Sequence, residues 1–308
     1  MDSSLKNPDI FNLKTYLKHQ KVLVENCLEQ VLNNYSQKSR VVSALRYCLM
    51  SGGKRIRPVL CIAAWEAMDP AVESFEDVLM CSCALEMVHT YSLIHDDLPA
   101  MDNDELRRGM PTCHVAFDEA TAILAGDALL TMAFETLSFA ANQGGKNPDR
   151  WLEVIEIIAR SSGASGMVEG QMQDIFSEGI PLSLESLKNM HHLKTGALIE
   201  ASVCSGAILA GAEPHQIDSM KTYARHIGLA FQVADDILNV EGDPALLGKA
   251  TGTDSRRNKN TYPSLLGLAE SKAFARKIVE SALQSLSDFD IKSDPLRAIA
   301  RYIIDRKK

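Results

Sequence analysis

The sequence contains no C-x-x-C pair, and its seven cysteines, Cys27, Cys48, Cys61, Cys81, Cys83, Cys113 and Cys204, are odd in number and scattered through apolar runs. That pattern argues against a zinc ribbon or a disulfide framework and reads as small reduced hydrophobes in a cytosolic protein. An excess of positive charge is also missing. With 40 acidic against 32 basic residues the formal net charge is −8, which excludes a nucleic acid or anionic membrane surface held by bulk electrostatics. Any anion has to be gripped locally. Met1 to Ile10 lack the basic-then-apolar pattern of a secretory signal, and no apolar run is expected to approach the ~20 residues of a membrane span. The expectation is a soluble, cytoplasmic protein with no stable membrane insertion, whose residues 1–10 form a flexible N-terminal segment. There is no defensible Ser-His-Asp or Cys-His arrangement, no internal repeat and no linker long enough to separate two cores.

What is present is helical periodicity. Of the residues, 46% are hydrophobic, enough for a sizeable core in one domain spanning 1–308. Apolar spacing predicts helices over Leu13–Leu32, Arg40–Met50, Val59–Met68, Phe75–Leu98, Ala116–Ala140, Trp151–Ser162, Leu184–Leu209, Gln216–Val240, Tyr262–Leu286 and Pro295–Ile304. Glycine, proline and polar residues fall between them, and no clear β-hairpin signal interrupts them. Fold class is all-α, a single-domain multi-helix bundle. The segment Met80–Leu98 is apolar almost all the way round, which fits burial on several sides, inside a large bundle or at a subunit interface.

Two acidic clusters stand out. The first, His95-Asp96-Asp97-Leu98-Pro99-Ala100-Met101-Asp102-Asn103-Asp104, ends a long apolar helix. Taken alone it would read as a solvated helix end. On a straight helix, however, Asp96 and Asp102 would lie about 240° apart, so sharing a metal requires a bend, which Pro99 and Ala100 supply. In the second cluster Asp235, Asn239 and Asp243 follow i, i+4, i+8 spacing on roughly one helix face. Like charges there need neutralising, and all-oxygen ligands favour Mg²⁺, Mn²⁺ or Ca²⁺.

Basic residues accompany them. Ser51-Gly52-Gly53-Lys54-Arg55-Ile56-Arg57-Pro58 combines a tight backbone with three cations, a loop suited to a diphosphate. Taken alone that loop, like Arg107-Arg108, reads as a solvated turn, and Lys194-Thr195-Gly196, Gly248-Lys249 and Lys259-Asn260 are individually weaker signals still.

The order of these elements is more specific than any member. Basic loop, His89, first acidic cluster, Arg-Arg, Lys-Thr, second acidic cluster and two further lysines occur in sequence, through GGKRIRP, YSLIHDDLPAMDNDELRRGMPTCH, LAGDALL, HHLKTGALI, GLAFQVADDILNVEGD and KNTYPSLLGL. The chain here resembles the trans-isoprenyl diphosphate synthases, bacterial farnesyl diphosphate synthases in particular, from about Ala44 to Lys308. The resemblance implies an all-α homodimer with a central apolar cavity capped by the two acidic motifs. It also implies roles. Lys54, Arg57 and His89, with Arg108, would hold the diphosphate of isopentenyl diphosphate. Asp96 and Asp102 would bind two Mg²⁺ ions with support from Asp97, and Asp235 a third, with Asp236 and Asn239 nearby; Mn²⁺ is a possible substitute. Arg107, Lys194, Lys249 and Lys259 would hold the allylic diphosphate, while Thr195 and Gln232 place oxygen dipoles near a developing cation. Gln171 and Asp174 would support the cavity. His89 and Tyr91 could equally be ordinary core residues.

Product length should follow cavity depth. Tyr91 precedes Asp96 by five residues, ~7.5 Å along a helix, on the side into which a growing tail extends. With Ser92 beside it, its bulky ring is expected to stop growth early, and the resemblance implies that an aromatic at this place goes with farnesyl as the product. A geranylgeranyl diphosphate synthase would share every motif and differ mainly in depth. A terpene cyclase would have no use for Lys54 and Arg57. One departure from the family pattern, Asn239 in place of a third aspartate, leaves room for a non-catalytic partner subunit.

Overall fold

In the computed structural model, residues 11–70, 75–143, 147–241 and 259–306 are described. Helix ends are set by local capping chemistry. The Asn12 side chain accepts from Thr15 N at 3.0 Å and starts α1, Leu13–Asn33. Ser39 caps α2, Arg40–Leu49. The first turn of α3, Ile56–Glu66, absorbs Pro58 where its missing N–H costs no helix bond. Next come α4, Phe75–Asp96, a four-residue α5, Cys113–Ala116, and α6, Glu119–Ala141, which Asp118 caps through Thr121 N at 2.7 Å. After Pro148–Ser162 (α7) and Met167–Phe176 (α8) runs α9, Leu184–His191; a π-type turn, His192–Gly196, joins it to α10, Ala197–Ala210. The long α11, Pro214–Glu241, precedes α12, Tyr262–Leu266, α13, Leu268–Gln284, and α14, Asp294–Asp305.

The core explains why α4 is apolar on every side. Helices α3, α6 and α10 all pack against it, and Val78, Cys81, Leu85, Met87 and Val88 are fully buried. A second cluster gathers around α11 and α13, with Val233, Tyr223 and Ile278 inside it. Helices α3 and α10 give residues to both clusters: Ile62 and Leu198 face one, Leu60 and Val203 the other. Each such side chain contributes ~1.5–3 kcal/mol by leaving water, so the α3–α10 pair ties the bundle halves together. All seven cysteines are free thiols, six of them buried.

Several boundaries differ from the sequence expectation. Gly267, at φ +82°, breaks the single helix expected over Tyr262–Leu286. The Lys-Thr-Gly segment, read as helix interior, forms the π-type turn. Helix α8 was not anticipated. A two-residue antiparallel ladder pairs Leu106 with Pro111 and Arg107 with Met110, closed by Arg108 and Gly109 at positive φ. By length and composition Glu119–Ala141 and Leu184–Ala210 could cross a membrane, which corrects the expectation that no run approaches that length; 44% and 72% of their apolar windows are buried inside the protein.

Candidate active site

The bend expected between the first carboxylates is present. Helix α4 stops at Asp96, and Asp102 N donates to the Asp96 carbonyl at 2.8 Å, folding Leu98–Met101 into a closed turn. Pro99 and Ala100 are exposed at its tip. The two acidic residues thus share one end of α4, although they are six positions apart. Asp97 points elsewhere. It is 3% exposed and takes a bidentate pair from Arg107, with Nε–Oδ2 at 2.7 Å and Nη2–Oδ1 at 2.5 Å. Burial pushes the Asp96 carboxyl up to about 6, with Lys194 and Arg107 opposing and Asp102 and Asp97 adding to the rise.

Opposite lies the basic loop. Gly52 and Gly53 have φ of +87° and +129°, and a Cβ on Gly53 would stand 2.7 Å from Arg108 Nη1. Without side chains there, Arg108 lies flat on the loop and donates to the Gly52 carbonyl. Arg55, itself at φ +53°, turns inward instead of toward a ligand. It pairs with Glu86 at 2.6 Å and Glu25 at 3.2 Å, and also donates to the Leu49 carbonyl. This buried bridge anchors the loop to α4. Arg57 Nε is buried without a hydrogen-bond partner, and burial lowers the guanidinium to about 10, with Glu86 and Asp235 opposing. His89 is held well below its ordinary pKa by burial and by Arg57, Arg108 and Arg107 around it, so it offers a neutral imidazole at pH 7. Lys54 is exposed, its Nζ 5.9 Å from the centroid of the Tyr302 ring.

Between these walls lies a cavity of about 480 Å³, within the ~300–1,000 Å³ of small-molecule sites. Arg57, His89, Arg107 and Arg108 line its mouth, together with Asp96 and Asp235. Lys194 and Thr195 project into it from the π-type turn, and Tyr91, Ser92, Met172 and Ile175 also line it, Tyr91 buried and Met172 and Ile175 exposed. The side-chain amide of Gln171, on α8, lines the cavity with both polar atoms buried and unpartnered. A smaller adjoining hollow of about 160 Å³ holds Asp174, Gln232, Asp236, Asn239 and Lys259.

Cations already sit on most of these carboxylates. Asp174 accepts from Lys194 at 2.5 Å and from Lys259 at 3.3 Å, and Lys259 also reaches Asp102 at 3.4 Å. Burial works against the Lys259 charge, but Asp174 and Asp102 raise its pKa. Thr195 Oγ1 donates to Gln232 Oε1 at 3.2 Å, and Gln232 Nε2 donates to Asp236 at 2.9 Å. Asp236 further accepts from Tyr262 N at 3.0 Å. It orients its neighbours, as Asp97 orients Arg107.

Sequence reasoning missed two partners. Glu86 was legible as a lone charge inside an apolar helix, which a buried position obliges to find a cation. Arg306 pairs with Asp235 at 2.6 Å, donates to the Phe231 carbonyl at 3.2 Å and lies over the Phe231 ring at 4.1 Å. The Arg306–Asp235 contact carries no sequence signal. Lys249 and Asp243 lie outside the described residues, as do Lys307 and Lys308.

A cavity lined by cations and carboxylates together with apolar side chains, in a helical bundle, fits a prenyltransferase. Comparison with known proteins agrees. The polyprenyl synthetase family model matches residues 38–295, and the chain belongs to that family, whose members are metal-dependent. It is 47% identical to a geranylgeranyl diphosphate synthase of Cyanophora paradoxa, over 96% of this chain and 97% of that one. It is 46% identical to farnesyl diphosphate synthase of Escherichia coli, over 88% and 91%. The crystal structure of an FPP/GFPP synthase from Zymomonas mobilis superposes with a TM-score of 0.83 at 39% identity, covering 95% of this chain and 99% of that one. The protein is a trans-prenyltransferase acting on isoprenyl diphosphates.

Proposed function

We propose that this enzyme condenses isopentenyl diphosphate with dimethylallyl and then geranyl diphosphate to give (2E,6E)-farnesyl diphosphate, with Mg²⁺, as a cytoplasmic homodimer. The observation that carries the product is the Tyr91 ring, 6% exposed and lining the cavity below Asp96.

The donor set fits the metal. Among the described residues no three His, Cys, Asp or Glu side chains converge to hold an ion alone. Mg²⁺ prefers one or two carboxylates, with phosphate oxygens and water completing its octahedron, and Asp96 and Asp102 on their turn supply that pair, with Asp235 facing them. Bound there, the ions would neutralise the leaving diphosphate as Lewis acids and fix its position. Lys194 and Lys259 are placed to take up the same diphosphate, and Arg107 is presented to it by Asp97. Across the mouth, Arg57, Arg108 and neutral His89 form a second cradle for isopentenyl diphosphate.

Ionisation breaks the allylic C–O bond and leaves an allyl cation. The double bond of isopentenyl diphosphate, held alongside, then forms the new C–C bond, so positioning replaces a bimolecular encounter. A proton is lost from the resulting cation, with the released diphosphate as its acceptor, and a new allylic double bond forms. The Thr195 hydroxyl, held by Gln232, and the unpartnered Gln171 amide put oxygen dipoles beside the transient charge. Met172, Ile175 and Phe231 give the cavity apolar lining beside it, and the reaction requires water to be excluded from the cation.

Homodimer formation is supported by α6, whose outer side exposes Ile123, Leu124 and Phe139, an apolar face of the kind subunits cover. The geranylgeranyl reading is favoured by one observation, the 47% identity to a synthase of that name. Carbon-number analysis of the product from dimethylallyl and isopentenyl diphosphates tests the two: C15 supports the proposal and C20 the alternative.

A further inference from the structure

Tyr91 does not stand alone. It lies one helical turn before His95 on α4, and the two rings meet edge to face with centroids 5.9 Å apart and planes at 81°. Both line the cavity. The Tyr91 hydroxyl reaches the Ser162 carbonyl only at 3.5 Å, long for an O–H···O bond. Its ring is therefore positioned more by its backing than by its hydroxyl.

That backing comes from α6. His95 Nε2 lies 3.0 Å from the Ile123 carbonyl, which places the ring proton on Nε2. The Asp127 carboxylate is 4.0 Å from the same nitrogen. Gly126 lies between these residues. A Cβ built there would overlap His95 Nε2 and Cδ2 and stand 2.7 Å from Cε1. The slot occupied by the imidazole exists because residue 126 has no side chain. The position of the cavity floor is thus fixed from outside, through Gly126 to His95 and from His95 to Tyr91.

Resting on the prenyl-transfer reading above, we infer that His95, seated against Gly126, is a positioning residue for prenyl chain length. It holds the Tyr91 ring at the depth where a C15 tail ends. Removing the imidazole lets the Tyr91 ring fall back and admits a further C5 unit. Filling the slot at residue 126 pushes the imidazole toward the cavity and shortens the tail that fits.

The test is product analysis with Mg²⁺, dimethylallyl diphosphate and isopentenyl diphosphate for the parent, His95→Ala, Gly126→Ala and the double variant. Folding is checked by thermal unfolding. His95→Ala is expected to raise the C20:C15 ratio ~10-fold or more, the discrimination a small change of apolar pocket depth produces. Gly126→Ala should raise the C10:C15 ratio. The double variant should match His95→Ala, because the new methyl occupies space the ring has left; that non-additivity is the signature of direct contact. A purely structural role lowers total yield and leaves the ratios unchanged. His95→Gln retains a donor for the Ile123 carbonyl, carries the same expectation and serves where His95→Ala does not fold. Unchanged ratios in folded His95 variants, or a Gly126→Ala effect that persists without His95, would each overturn the inference alone; a parent that already runs to C20 would overturn both the inference and the farnesyl assignment while leaving prenyl transfer intact. A parent that forms no prenyl product with any allylic starter would overturn the prenyl-transfer reading and the inference with it.

Discussion

The mouth and the floor of the cavity are built on opposite principles. At the mouth several functional charges are each held by another: Arg107 by Asp97, Lys194 and Lys259 by Asp174, Asp235 by Arg306. The backbone there is also strained, with Arg55, Asn103 and Arg108 all at positive φ. At the floor there are two rings, fixed by packing, by the His95 Nε2 contact with the Ile123 carbonyl and by one residue without a side chain. On the proposed reading, the contrast predicts that rate and product are separable. Changes at the mouth should act on whether bonds break and form, and changes at the floor on where growth stops.

The largest effect should come from the first acidic turn. Asp102→Asn is expected to lower kcat ~10²–10³-fold, the loss typical of removing one group that stabilises developing charge, with folding intact by circular dichroism. A fall of less than tenfold would separate this turn from leaving-group departure. Arg57→Leu is expected next, raising KM for isopentenyl diphosphate up to ~100-fold, the worth of a hydrogen bond to a charged group, with KM for the allylic partner little changed. Equal shifts in both would merge the two cradles into one. Glu86→Gln should act on stability, since it removes the buried carboxylate closest to Arg55 and leaves only the half-buried Glu25 as a charged partner. Breaking such a pair costs ~3–5 kcal/mol, read as a lower denaturant midpoint. Tyr91→Ala should change the product more than the rate, moving it beyond C15; an unchanged carbon number would remove Tyr91 from the floor. Smallest of all, Asn239→Asp should reduce the Mg²⁺ concentration for half-maximal rate ~2–3-fold by adding a charge to an oxygen site.

Much of this contrast could be read in the residues. The bend at Pro99 was legible because two carboxylates about 240° apart on a helix cannot share an ion without one. The all-helical fold followed from apolar spacing, since burial on a 3.6-residue period leaves few alternatives. Other features depended on contacts across long stretches of chain. Arg306 meets Asp235 from 71 residues away, and His95 meets Ile123 across a helix pair. Neither neighbour is encoded near the residue it serves. The π-type turn at His192–Gly196 was hidden because Lys-Thr-Gly has no local signature distinguishing one extra residue per turn from a regular helix. The Leu106–Pro111 ladder was hidden because two residues per strand are too few to alternate.

The account rests on two anion cradles serving one reaction above an apolar floor. Its most direct test is to incubate the purified protein with Mg²⁺, isopentenyl diphosphate and dimethylallyl diphosphate and determine the carbon number of the prenyl product. The account predicts condensation that stops at C15. A folded protein that forms no new carbon–carbon bond with any allylic starter in excess Mg²⁺ would contradict it.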